Sequence, residues 1–144
     1  MKKSTFIKQL DHPAIEAAIA RAEATTSGEI RVAVMHRPAP DPVAAAQALF
    51  NRLGMAKTRE RNAVLLFVAP ESQTFAVIGD VAVHQKCGQP FWEETAAAMA
   101  GHFRGGHFTA GLLQGIERAG ALLAAHFPHR PDDTNELPNQ VIER

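Results

Sequence analysis

The chain has 144 residues, 46% of them hydrophobic and 21% charged, with 15 basic side chains balanced by 15 acidic ones. That length fits a single domain able to bury roughly 70% of its unfolded surface. Zero formal net charge excludes the basic signature of a nucleic-acid or anionic-membrane binder. The lone Cys87 excludes a disulfide-stapled fold. No apolar run reaches the ~20 residues of a membrane span, and the opening MKKSTFIKQLDHP lacks the apolar core of a signal peptide, so a cytoplasmic protein is expected.

Taken in order, residues 1–10 form a short lead. Asp11 then offers an N-cap with Pro13 just inside the first turn. Ile15, Ile19 and Ala22 recur at helical spacing and predict an amphipathic helix that ends near Thr25, before Ser27-Gly28. Glu29 to Met35 alternates as a strand. Asp41-Pro42 repeats the cap and first-turn pairing. Ala46, Leu49, Phe50 and Leu53 give the stripe of a second helix, stopped by Gly54. Met55 to Glu60 reads as a polar connector.

Ala63 to Ala69 is apolar throughout, as a strand covered on both faces should be. A Pro70-Glu71-Ser72-Gln73 turn and Thr74 to Ile78 complete a hairpin, with a longer loop built on a type I turn. Asp80 to Pro90 reads as loop-like, with room for a short helical turn. A third main helix is predicted from Phe91 to Phe103, and a fourth, the longest, from Phe108 to Phe127. Gly111 and Gly115 mark close packing of that last helix on the sheet. The predicted architecture is an α/β/α sandwich, three layers thick. Its small mixed β-sheet combines a βαβ crossover with a hairpin and carries helices on both faces. The domain is expected over 1–128, followed by an extended polar tail over 129–144.

This order of elements gathers charge at one rim. Parallel strands starting at Glu29 and Ala63 place Glu29, Arg61 and Asn62 together. The antiparallel strand that ends at Asp80 finishes beside them. Asp80, Glu29 and Asn62 supply hard oxygen donors of the kind that hold calcium or magnesium. The same carboxylates, Asp80 and Glu29, are the candidate catalytic groups, able to position water as a general base. Arg61, Arg31 and Asn62 are the candidate contacts to a phosphate or a partner. The alternative is an ion pair of Arg61 with Asp80 or Glu29 that does no more than end the sheet.

Other constellations are weaker. His36, Arg37 and Asp41 follow the first strand's C-terminal end, where open α/β sheets bind ligands. The Arg104-Gly105-Gly106-His107 turn could hold an anion on its backbone amides, but a helix–helix corner is the simpler reading. His102 with His107, and His126 with His129, lack the partners of a zinc site. Cys87 has no arginine at the spacing of a cysteine-phosphatase loop, and Walker, Rossmann and nucleophile-elbow patterns are absent.

Several segments together resemble the TPM domain family in its short, stand-alone bacterial form. They are Ser27 to Val32 (SGEIRV), Phe50 to Met55 (FNRLGM), Arg61 to Leu66 (RNAVLL), Phe75 to Asp80 (FAVIGD), Phe91-Trp92, His102 to Phe108 (HFRGGHF) and Gly111-Leu112, followed by Asn135 to Pro138 (NELP). The resemblance covers nearly the whole chain and implies the same sandwich fold. It also implies a function: a module that binds a divalent cation, calcium above all, or a protein partner. The alternative it implies is a metal-assisted phosphatase acting on a small phosphorylated molecule, a phosphomonoester. Members often read Asp-Asn-Gly where this chain has Arg61-Asn62-Ala63, so an arginine stands where an acidic residue is common. Many relatives also carry a secretion signal and a membrane anchor, neither of which is read in this sequence.

Overall fold

The computed structural model describes residues 10–131 and 135–144. Helix α1 (His12–Glu23) starts where Asp11 accepts a hydrogen bond from the Ala14 amide. Strand β1 (Glu29–Val34) is buried along its whole length. Helix α2 (Pro42–Arg52) repeats the start of α1, with Asp41 accepting from the Ala44 amide. Both helices thus begin at the Asp and Pro pairings visible in the sequence. Gly54 then takes a left-handed φ of 70°, and a short 3-10 turn, Met55–Lys57, follows. This connector is not simply polar, because Met55 is fully buried and pins it to the sheet.

Strands β2 (Ala63–Ala69) and β3 (Thr74–Gly79) form the predicted hairpin. Its loop closes with the Gln73 amide on the Pro70 carbonyl at 3.1 Å. Strand β1 lies parallel to β2, with Glu29 opposite Ala63, and β3 lies antiparallel to β2. Odd residues of β1 and β2, such as Ala33, Leu65 and Phe67, face α2. Even residues, such as Val32 and Leu66, face α1 and the two C-terminal helices. The result is the predicted three-layer mixed sandwich.

Helix α3 runs from Val81 to Arg104 as two helical segments joined at Gly88, so the loop-like stretch expected over 80–90 is helical for more than the short turn it allowed. Asp80 caps it, accepting from the Val81 amide. The breakers that read as a loop act only within the helix. Gly88 interrupts it with φ 72° and ψ 172°, and Pro90 falls in the first turn of the resumed segment, where its missing N–H costs nothing. Helix α4 (Phe108–His126) crosses the sheet at Gly115. A Cβ there would stand 2.6 Å from Leu66 Cδ2, so glycine permits the close approach read from the sequence.

The tail is not a free extension. Ile142 and Glu143 form β4, which pairs in parallel with Ala33 and Val34 and gives the sheet the order β3-β2-β1-β4. Leu137 and Ile142 are buried against the α2 layer. Acidic side chains hold the backbone between them. Glu29 Oε1 accepts from the Leu137 amide at 2.8 Å, and Glu16 Oε2 from Val141 at 3.1 Å. Truncating Ile142 to alanine is therefore predicted to lower stability by about 2 kcal/mol, the low end for a buried isoleucine. Urea unfolding reads this, and a loosely attached tail would give no change.

Candidate functional site

The predicted rim exists. Glu29 lies opposite Ala63 on one side, and the Asp80 amide bonds the Ala63 carbonyl at 2.9 Å on the other. The three residues thus form a row, and with ~4.8 Å between strands the outer two sit about 10 Å apart at Cα.

Asp80 is the centre of this rim. Its side chain is 4% exposed, and both oxygens are engaged. Arg61 Nε donates to Oδ2 at 2.7 Å and a terminal guanidinium nitrogen donates to Oδ1 at 2.8 Å. The Val81 amide adds a bond to Oδ1 at 2.7 Å. The two-pronged bond to Asp80, and then its charge, raise the Arg61 pKa above its ordinary value. Arg61 itself is 48% exposed and has a left-handed φ of 53°, a backbone state that bulky residues seldom adopt. Its carbonyl accepts from the Ala82 amide at 3.2 Å, so backbone and side chain both tie it to the start of α3.

The other expected residues reach the rim with different partners. The Glu29 carboxylate is buried and takes the Leu137 amide. Asn62 is fully buried, and its Nδ2 donates to Ser27 Oγ at 3.2 Å. Ser27 donates in turn to Glu60, which pairs with Arg130 at 2.8 Å. Asn62 Oδ1 is buried with no partner among the described residues. Arg31, expected to face phosphate, lies buried in β1, and its Nε has no partner there either. Burial, and then the like charge of Arg144, lower its pKa. Among the described residues, no three His, Cys, Asp or Glu side chains come together as a ready cage for a metal ion.

A groove of 540 Å³ opens from the Arg61–Asp80 pair and runs along β3 between α2 and α3. Its floor includes Val77, Ile78 and Gly79. His84 and Trp92 stand on its α3 wall, and Trp92 Nε1 donates to His84 Nδ1 at 3.0 Å. Neutral His84 therefore carries its proton on Nε2. The sequence reading missed His84 because the 81–90 stretch was expected to be a loop. Gly88 breaks the helical phase between His84 and Trp92, so no spacing in the sequence marks the pair.

The remaining candidates have structural employment. Asp41 caps α2, and His36 Nε2 lies 3.4 Å from Glu143 Oε1. Gly105 and Gly106 form the corner between α3 and α4. Cys87 is half-buried, and burial pushes its thiol pKa up.

A four-stranded mixed sheet in this order, with a charged rim beside a groove at the hairpin edge, defines an α/β/α domain of the TPM type. The sequence profile of the TPM domain matches residues 2–122, and the chain belongs to that family. It is similar to the BA42 protein of the psychrophilic bacterium Bizionia argentinensis, whose NMR structure is 40% identical, covers 92% of each chain and superposes with a TM-score of 0.84. The N-terminal domain of the cg2496 protein from Corynebacterium glutamicum shares the fold at 16% identity. That match covers 100% of this chain and 81% of the other, with a TM-score of 0.58. No curated protein matches. Among the described residues no helix is long and apolar enough to cross a membrane.

Beside the rim, Glu23 accepts from the Ile30 amide at 2.8 Å, covering a stretch of the β1 edge that β4 does not reach. Burial raises its pKa to about 8. The Ile30 bond and Arg31 oppose that rise, and Glu29 adds to it. A carboxyl whose folded pKa exceeds its unfolded value of 4.5 binds more protons when folded, so stability falls as pH rises from about 4.5 to about 8. Glu23→Gln, which keeps the neutral form, is predicted to gain on the wild type between pH 5 and pH 8 in urea unfolding. Parallel pH profiles for the two proteins would contradict the raised pKa.

Proposed function

We propose that this TPM-family chain is a non-catalytic binding module whose receptor is the Arg61–Asp80 rim, and that a divalent cation, calcium first, is the ligand of Asp80. The observation that carries this reading is the unequal burial of the pair. A carboxylate only 4% exposed is neutralised by a guanidinium that is 48% exposed and can swing into solvent. With Arg61 turned out, Asp80 is a buried anion at the mouth of a groove, and a buried anion demands a cation.

The donors are right in kind. Asp80 and Glu29 offer carboxylates with only the small Ala63 between their strands, and Asn62 offers a buried oxygen without a partner. All are hard oxygens of the type calcium takes. Arg61 is the resident counter-ion that an incoming cation displaces, so the wild-type chain binds weakly. An NMR titration with calcium and then magnesium tests this. Arg61→Gly removes the resident cation and suits the left-handed backbone, and it is expected to bind calcium about tenfold more tightly than the wild type. Asp80→Asn keeps the cap and is expected to abolish the response. Shifts absent from Asp80 to Ala82 in both the wild type and Arg61→Gly, or centred instead on Asp41 or Gly106, would overturn the choice of site.

A second reading, a metal-assisted phosphatase acting on phosphomonoesters, has one observation in its favour: Arg61, Asp80 and His84 line a common groove. Against it, no serine, threonine or cysteine nucleophile is among the residues that line that groove. Turnover of p-nitrophenyl phosphate with calcium or magnesium, lost in Asp80→Asn, would replace the binding reading by the enzymatic one. No turnover in either protein is expected.

A further inference from the structure

The two edges of the sheet are finished differently. The β1 edge is closed by the chain's own tail, through β4, and by the Glu23 carboxylate on the Ile30 amide. The β3 edge has no such cover. Strand β3 is the outermost strand, and among the described residues no other segment pairs with its outer side. An open strand edge is a template for a further strand, and natural proteins usually blunt it with charge, proline or a bulge. The six residues TFAVIG contain none of these.

The groove at the rim lies over the last part of this edge, Val77 to Gly79, and its walls suit a peptide. The exposed large apolar side chains among the described residues are Val43, at 53%, and Val81, at 52%. Both line this groove, one on α2 and one on α3. Four carboxamides, Gln47, Asn51, Gln85 and Gln89, line the same groove. A carboxamide both donates and accepts, as a peptide group does. The charged lining residues, Arg61 and Asp80, neutralise each other, so the groove selects for no charge.

We infer that the β3 edge receives an uncharged, extended segment of a partner protein as an added strand. Its successive aliphatic side chains point to opposite faces and cover Val43 on one and Val81 on the other, and its backbone bonds β3 on one side. A segment of about six residues matches β3 at ~3.3 Å per residue. A second copy of this chain is the poorer occupant. Ala76, Val77 and Ile78 are buried although β3 is an edge, so the strand is recessed between two helices. Two such recessed edges cannot approach to the ~4.8 Å that strand pairing needs, whereas a single slim strand can enter.

The inference does not rest on cation binding, and its test is run with chelator so that the two fail separately. The full chain is titrated with the capped hexapeptide Thr-Val-Val-Thr-Val-Val, which carries valine on both faces of an extended strand, followed by amide NMR shifts and hydrogen exchange. Shifts centred on Val77 to Gly79, with slowed exchange along β3, are expected. The N-methylated peptide, which lacks the amide donors, is expected to give no response. Val81→Lys, at an exposed position that leaves the fold intact, is expected to bind about tenfold more weakly. The inference is overturned by absence of shifts at ~1 mM peptide, the weakest affinity that would matter. Equal binding of the N-methylated peptide, or a concentration-dependent dimer that occupies β3 without any peptide, would overturn it too.

Discussion

The Arg61–Asp80 contact holds the open end of the hairpin to the helix that follows, and the site depends on it. Asp80 ends β3 through its amide on the Ala63 carbonyl, starts α3 through its carboxylate on the Val81 amide, and receives the His84 amide on its own carbonyl. Arg61 closes the circuit from the other side, with its guanidinium on Asp80 and its carbonyl under Ala82. One buried aspartate therefore serves as strand end through its amide, and as helix cap and half of an ion pair through its carboxylate. Such a group is costly to strand without a cation, because low-dielectric surroundings penalise an unpaired charge far more than a lost surface contact. That cost ties the arginine to its strained backbone. It also makes the pair a candidate switch, since whatever cation replaces the guanidinium takes over the neutralisation.

The sheet distributes this chemistry unevenly. On the β1 side, acidic groups have structural roles: Glu29, Glu16 and Glu23 each accept a buried or part-buried backbone amide. On the β3 side, the backbone edge is left open beside a groove whose charges cancel. The same physical need, to satisfy strand-edge amides, is met internally at one edge, and at the other no described segment meets it.

Much of this was legible in the sequence because it is local. The Asp11 and Asp41 caps, the continuous apolar run of β2 and the turn at Pro70 each follow from neighbouring residues. The meeting of Glu29, Asn62, Arg61 and Asp80 at one rim followed from strand direction alone. What the sequence hid is non-local or conditional. Gly88 and Pro90 look like loop residues, yet one kinks a helix and the other begins its next segment. Leu137 and Ile142 are isolated apolar residues in a polar tail, and the acceptors that dock the tail lie more than a hundred residues earlier. Arg31 reads as a phosphate or partner contact on an alternating strand, and only the packed tail and α2 layer show that it is buried. Glu23 lies off the apolar face of α1, and nothing near it in sequence reveals the desolvation that raises its pKa.

Arg61 engages both oxygens of the Asp80 carboxylate, and under the proposed function another cation takes its place there. The most direct measurement is the NMR signal of the Arg61 Nε–H, with its hydrogen exchange. A distinct, slowly exchanging resonance is predicted, lost in Asp80→Asn and collapsing toward the exposed arginines as calcium is added to the wild type. An Nε–H indistinguishable from those of exposed arginines from the start would contradict the clamp. A protected signal that calcium leaves untouched at saturation would contradict the exchange of one cation for another.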